Sequence, residues 1–115
     1  MKRQITNWTV EAFVFSGRAN PQWILTEKQA DDWMNLWQGA PPSNKELQRP
    51  SRLGYTGCRL QYNEHSYWIM FDGCVSFYDK GQVICKDDAG REMEFFLLNT
   101  ATKKEKEILS SLGII

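Results

Sequence analysis

One histidine and three cysteines are all the imidazole and thiol that this 115-residue chain contains. A structural zinc site needs four convergent ligands of that kind. His65 with Cys58, Cys74 and Cys85, spaced without a C-x-x-C pair, does not supply them, so no metal and no cofactor is expected. The cysteines are odd in number and have strand-like apolar neighbours, which reads as buried free thiols and not as a disulfide framework. An excess of one charge is missing too, because 14 Lys and Arg face 14 Asp and Glu. Without a net field, neither nucleic acid nor an anionic membrane is an expected partner. Long apolar runs are absent, and no charged start leads into an apolar stretch, so a membrane span and a leader are not expected. The reading is one cytoplasmic domain over residues 1–115, large enough to build a core without staples.

Signatures of catalysis are equally scarce. Ser16-Gly17-Arg18 leads into a strand and matches neither phosphate-binding glycine spacing. The adjacent carboxylates Asp31-Asp32 and Asp87-Asp88 would point roughly 100° apart on a helix, so neither pair is a natural acid and base. His65 falls in a turn between two strands, where a solvated imidazole is the simplest reading, and a Cys–His pair would need a thiolate within hydrogen-bond reach of it. The expectation leans away from an enzyme, with an enzyme lacking any recognisable motif as the third reading.

What the chain does have is aromatic residues: five Trp, four Tyr and six Phe. Trp and Tyr are favoured at recognition surfaces, because each offers a large apolar body with a polar tip. Trp23, Trp33, Trp37 and Trp68 are assigned mainly to the core. Phe13, Phe15, Tyr55, Tyr67 and Tyr78 are assigned to partly exposed positions on a sheet face turned away from the helices. The alternative is a second small cluster beneath a long loop.

The pattern of elements is readable. A strand from Trp8 to Phe15 and a second from Gln22 to Leu25 flank the reversal SGRANP, where Gly17 tolerates positive φ and Pro21 keeps Asn20 out of the helical region. Thr26 to Gln29 spells a capping box for a helix to about Gln38, with Ala30, Trp33, Met34 and Trp37 on its apolar stripe. Ala40 to Gly54, with three prolines and the basic trio Lys45, Arg49 and Arg52, reads as a long loop. A β-meander follows, turning at Asn63 to Ser66, at Asp72-Gly73 and at Asp79 to Gln82. Asp87 and Asp88 precede a helix over Arg91 to Thr100, and a second box, T-K-K-E at Thr102 to Glu105, restarts it toward Leu112. The order β-β-α-β-β-β-β-α predicts an α+β fold: an antiparallel sheet of five to six strands with helices packed on one face.

The segments SGRANPQW (Ser16 to Trp23), RLGYTGC (Arg52 to Cys58), FDGCV (Phe71 to Val75) and GREMEFFLLNTA (Gly90 to Ala101) resemble a pattern found in a family of small uncharacterised soluble domains. That family often has Pro where this chain has Ala19, and the resemblance implies no activity. The order of elements, without any residue motif, is similar to that of emfourin-type inhibitors of thermolysin-like metalloproteases.

The function expected on these grounds is a non-enzymatic protein-binding module, acting as an inhibitor or adaptor and working as a monomer or homodimer. Its binding residues are Arg18, Asn20, Trp23, Phe13, Tyr55 and Tyr67. Arg18 offers a planar charged contact, with the bland alternative of a solvated turn, while Asn20 and Pro21 hold the loop in shape. A small-ligand or carbohydrate module using exposed Trp and Tyr is the alternative.

Overall fold

A computed structural model describes residues 8–15, 19–45, 47–48 and 54–115. Six strands form one antiparallel sheet: β1 (Thr9–Ala12), β2 (Gln22–Ile24), β3 (Cys58–Asn63), β4 (Ser66–Phe71), β5 (Cys74–Asp79) and β6 (Gln82–Asp87). Their spatial order is β2-β1-β3-β4-β5-β6. The helices are α1 (Glu27–Gly39), α2 (Glu92–Leu98) and α3 (Lys103–Ser111), with a short 3-10 turn at Ala89–Arg91 before α2. This is the expected α+β architecture. Among the described residues no helix is long and apolar enough to cross a membrane.

Local chemistry explains the joints. Asp72 and Gly73 both have positive φ (52° and 91°), the type I′ geometry whose twist matches that of the flanking strands. Gly57 is required sterically. Its φ is +115°, and a Cβ there would lie 2.6 Å from the carbonyl oxygen of Met70. The capping box is complete at α1: Thr26 Oγ1 accepts from Gln29 N at 3.1 Å, and Gln29 Oε1 accepts from Thr26 N at 2.9 Å.

Three expectations are corrected. The first strand stops at Ala12 and not at Phe15, because the N–H groups of Val14 and Phe15 turn to the side-chain oxygen of Asn20 at 3.0 and 2.8 Å. Thr102 occupies the N-cap of α3 but makes no side-chain cap bond, so the second box does not form. Of the three free cysteines, Cys58 alone is buried; Cys74 and Cys85 are half-buried.

The core lies between the helices and one sheet face. Val10, Ala12, Cys58, Leu60, Trp68, Met70 and Val75 come from the strands, and Trp33, Trp37, Leu97 and Leu109 from the helices. Trp68 is the hub. Its ring stacks on Phe77 at 4.4 Å and on Trp8 at 5.9 Å, and meets Trp33 and Trp37 edge-on at 5.8 and 6.0 Å. The Trp33 and Trp68 indole N–H groups are buried with no hydrogen-bond partner among the described residues.

Candidate interaction surface

Alternation along the strands sends Thr9, Glu11, Arg59, Gln61, Tyr67, Ile69, Phe71 and Tyr78 to the sheet face opposite the core. Register brings them together. Glu11 lies opposite Arg59, and Tyr67 opposite Tyr78. The two tyrosine rings stack with centroids 5.0 Å apart and planes at 17°, and both residues are half-buried. Arg59 donates to Glu11 Oε1 at 2.7 Å while its guanidinium sits 5.8 Å from the centre of the Phe13 ring.

Asn20 joins this face to the β1–β2 hairpin. Its Oδ1 accepts the Val14 and Phe15 N–H groups, and its Nδ2 donates to Glu11 Oε2 at 3.0 Å. The relay Asn20–Glu11–Arg59–Phe13 therefore couples the base of the hairpin to the centre of the exposed face. Beside it is a shallow bay of about 270 Å³ whose lining includes Thr9, Glu11, Gln22, Arg59, Gln61 and Tyr62.

The structure brings Phe13, Asn20 and Tyr67 to this region, turns Trp23 away from it, and places the Tyr55 ring 6.1 Å from that of Phe71. Trp23 faces the core, where it is buried and donates from Nε1 to Thr100 Oγ1 at 2.8 Å; it shapes the hairpin from behind and offers no contact. Tyr55 donates its hydroxyl to Glu94. Arg18 lies outside the described residues. Arg59 and Glu11 were missed, and the signal that could have found them is their opposite charge at polar positions of alternating strands.

Glu94 is the hub of a separate buried network. It is fully buried, yet it accepts from Asp72 N at 3.0 Å, from Arg91 Nε at 3.1 Å, from Arg91 Nη2 at 2.9 Å and from the Tyr55 hydroxyl. Asp88 beside it accepts from Met93 N and Glu94 N at 2.7 and 3.0 Å. Burial raises the Asp88 carboxyl above its ordinary value, against the pull of those two N–H groups. Burial, reinforced by Cys58 and Glu94, holds the Tyr55 phenol far above its usual range. The Glu94 carboxylate ties α2 to the β4–β5 turn, while the Asp88 carboxylate holds the first N–H groups of α2 and its own N–H donates to Gly73 O at 2.8 Å.

On the sheet face opposite the core, the buried Ser76 has its Oγ 3.3 Å from Cys85 Sγ. Burial and the neighbouring Cys85 raise the Cys74 thiol, while a hydrogen bond from Ser76 opposes the rise. His65 is an exposed turn residue 3.5 Å from Glu64. Among the described residues no cluster of three His, Cys, Asp or Glu side chains could hold a metal ion. A concavity of about 820 Å³ runs along α3 between Lys103, Lys106, Ser110 and Ile115, and its described lining contains none of the sequence-selected residues. No family model, no curated protein and no solved structure matches this chain.

Proposed function

We propose that this chain is a non-enzymatic protein-binding module that presents the β1–β2 hairpin and the adjoining exposed sheet face to a protein partner. The observation that carries the reading is the Asn20–Glu11–Arg59–Phe13 relay. It fixes the hairpin base through side chains before any partner arrives, which lowers the ordering cost of binding. Arg59 uses Nη2 toward Glu11, so most of its planar donor fork remains for a partner's acceptor groups. The stacked Tyr67 and Tyr78 extend the surface with the residue type that contributes most at protein interfaces. Inhibition of a hydrolase is one form such binding takes.

A photo-cross-linking residue placed at Phe13 should trap a defined partner in cells, while the same residue at the exposed Glu107 of α3 should not. Arg59→Ala and Arg18→Ala should each weaken that partner's binding by about tenfold, near 1.4 kcal/mol. A partner trapped equally from both positions, or bound by both variants as tightly as by the parent, would refute the reading. The second reading, a small polar ligand in the 270 Å³ bay, is favoured by the amides of Gln22 and Gln61 beside the Tyr62 ring. Amide shifts at Gln22 and Gln61 unmoved by a panel of monosaccharides would remove it.

A further inference from the structure

The two edges of the sheet are treated differently. β6 is strapped by the Pro41 to Ser43 segment: Asp87 N donates to Pro41 O at 2.9 Å and Ser43 N to Cys85 O at 3.0 Å. A proline strap of that kind is a common way to close an edge. Among the described residues β2 has no such cover. Its bonds to β1 run through Pro21, Trp23 and Leu25, as Ala12 N to Pro21 O at 3.1 Å and Leu25 N to Trp8 O at 2.9 Å show. The alternation leaves the N–H and C=O of Gln22 and Ile24 pointing outward, and among the described residues nothing pairs with them. Both side chains are exposed, Ile24 at 57%, and Gln22 forms one wall of the polar bay.

We propose that β2 is a strand-addition site for an extended segment of a partner protein, an inference that rests on the binding-module reading and specifies its mode. The incoming strand takes the outward groups of Gln22 and Ile24 as its ladder partners. On the exposed face it lays a β-branched residue against Ile24. Two positions along, a long side chain ending in a carboxamide or carboxylate reaches over Gln22 into the bay. Its polar end meets the exposed Gln22 side chain at the rim of the bay. A second copy of this chain fits less well. Symmetric β2–β2 pairing offers two outward residues per chain, a ribbon far below the roughly 1,200 Å² of a stable interface, and it leaves the bay empty.

The test is amide-resolved NMR titration of the full chain with acetylated and amidated peptides Thr-Val-Thr-Val-Thr-Xaa-Thr, where Xaa is Gln, Glu or Leu. The Gln and Glu peptides should shift the Gln22, Ile24, Glu11 and Gln61 amides and bind several-fold more tightly than the Leu peptide. Ile24→Pro removes one outward N–H without touching the ladder to β1 and should weaken binding by about tenfold. Ile24→Thr keeps that N–H and should bind nearly as the parent does. Gln22→Pro serves as a second blocking variant should Ile24→Pro disturb the remaining amide spectrum. Silence of the β2 amides with all three peptides, or undiminished binding by the proline variants, overturns the proposal, and equal binding of the Leu peptide overturns the assignment of the bay. A partner cross-linked through Phe13 without any shift at Gln22 and Ile24 would keep the module reading and overturn strand addition.

Discussion

A phenol that donates to a fully buried carboxylate has little reason to ionise. Tyr55 gives its proton to Glu94, and the carboxylate also holds Arg91 and the Asp72 N–H. Three chain segments distant in sequence meet at this one side chain. The folded protein keeps the Tyr55 proton far above the ordinary value of 10.0, whereas the unfolded chain releases it there. The stability this group contributes is therefore fully present below pH 10 and is lost as the pH rises beyond it. Tyr55→Phe should cost about 1 kcal/mol at neutral pH through the missing hydrogen bond. That deficit should shrink or reverse once the pH passes 10, because the phenylalanine variant has no proton to lose. Urea unfolding of both proteins at neutral pH and about one unit above 10 gives the comparison. A constant gap between the two curves would contradict the burial of this hydroxyl.

At the level of elements, two N-caps that look alike in sequence behave differently. Thr26 and Gln29 answer one another across the first turn of α1. Thr102 and Glu105 have the same spacing, yet Thr102 makes no cap bond, and one Glu105 carboxylate oxygen is buried with no hydrogen-bond partner among the described residues. Glu105 is directed into the protein instead of back toward its cap. Thr26→Ala should cost about 1 kcal/mol and Thr102→Ala clearly less than half of that, read from urea midpoints at constant slope. The comparison marks how far the sequence could be read. Turn chemistry at Asp72-Gly73, the apolar stripe of α1 and the meander follow from local rules, and all are found. The end of the first strand does not, because it is set by Asn20 reaching back from beyond the turn. The same limit hid Arg59. Its partnership with Glu11 arises from register between strands 48 residues apart, which no local window contains.

The whole molecule is a sheet with two unlike faces, and the aromatic residues divide between them by partner more than by type. On the core side Trp68 touches Trp8, Trp33, Trp37 and Phe77, so one ring joins β1, β5 and α1. On the other side the half-buried Tyr67 and Tyr78 stack on each other. The large aromatic count thus serves both a core and a surface, which the two Trp-to-Tyr environments explain better than either use alone. The core carries a polar group, the buried Trp68 indole N–H, that finds no hydrogen-bond partner among the described residues. Removing the ring and removing only its N–H should therefore have different consequences. Trp68→Ala should cost about 3–5 kcal/mol, because the cavity reaches four neighbouring rings at once. Trp68→Phe keeps much of the packing and relieves the unpaired N–H, so its loss should be well below that. Both variants should lose the near-ultraviolet circular dichroism that arises from the stacked Trp8 and Trp68 rings, and chemical denaturation measures the energies. Equal destabilisation by the two substitutions would mean that the indole N–H has a partner after all, and that the hub is held by hydrogen bonding as well as by shape.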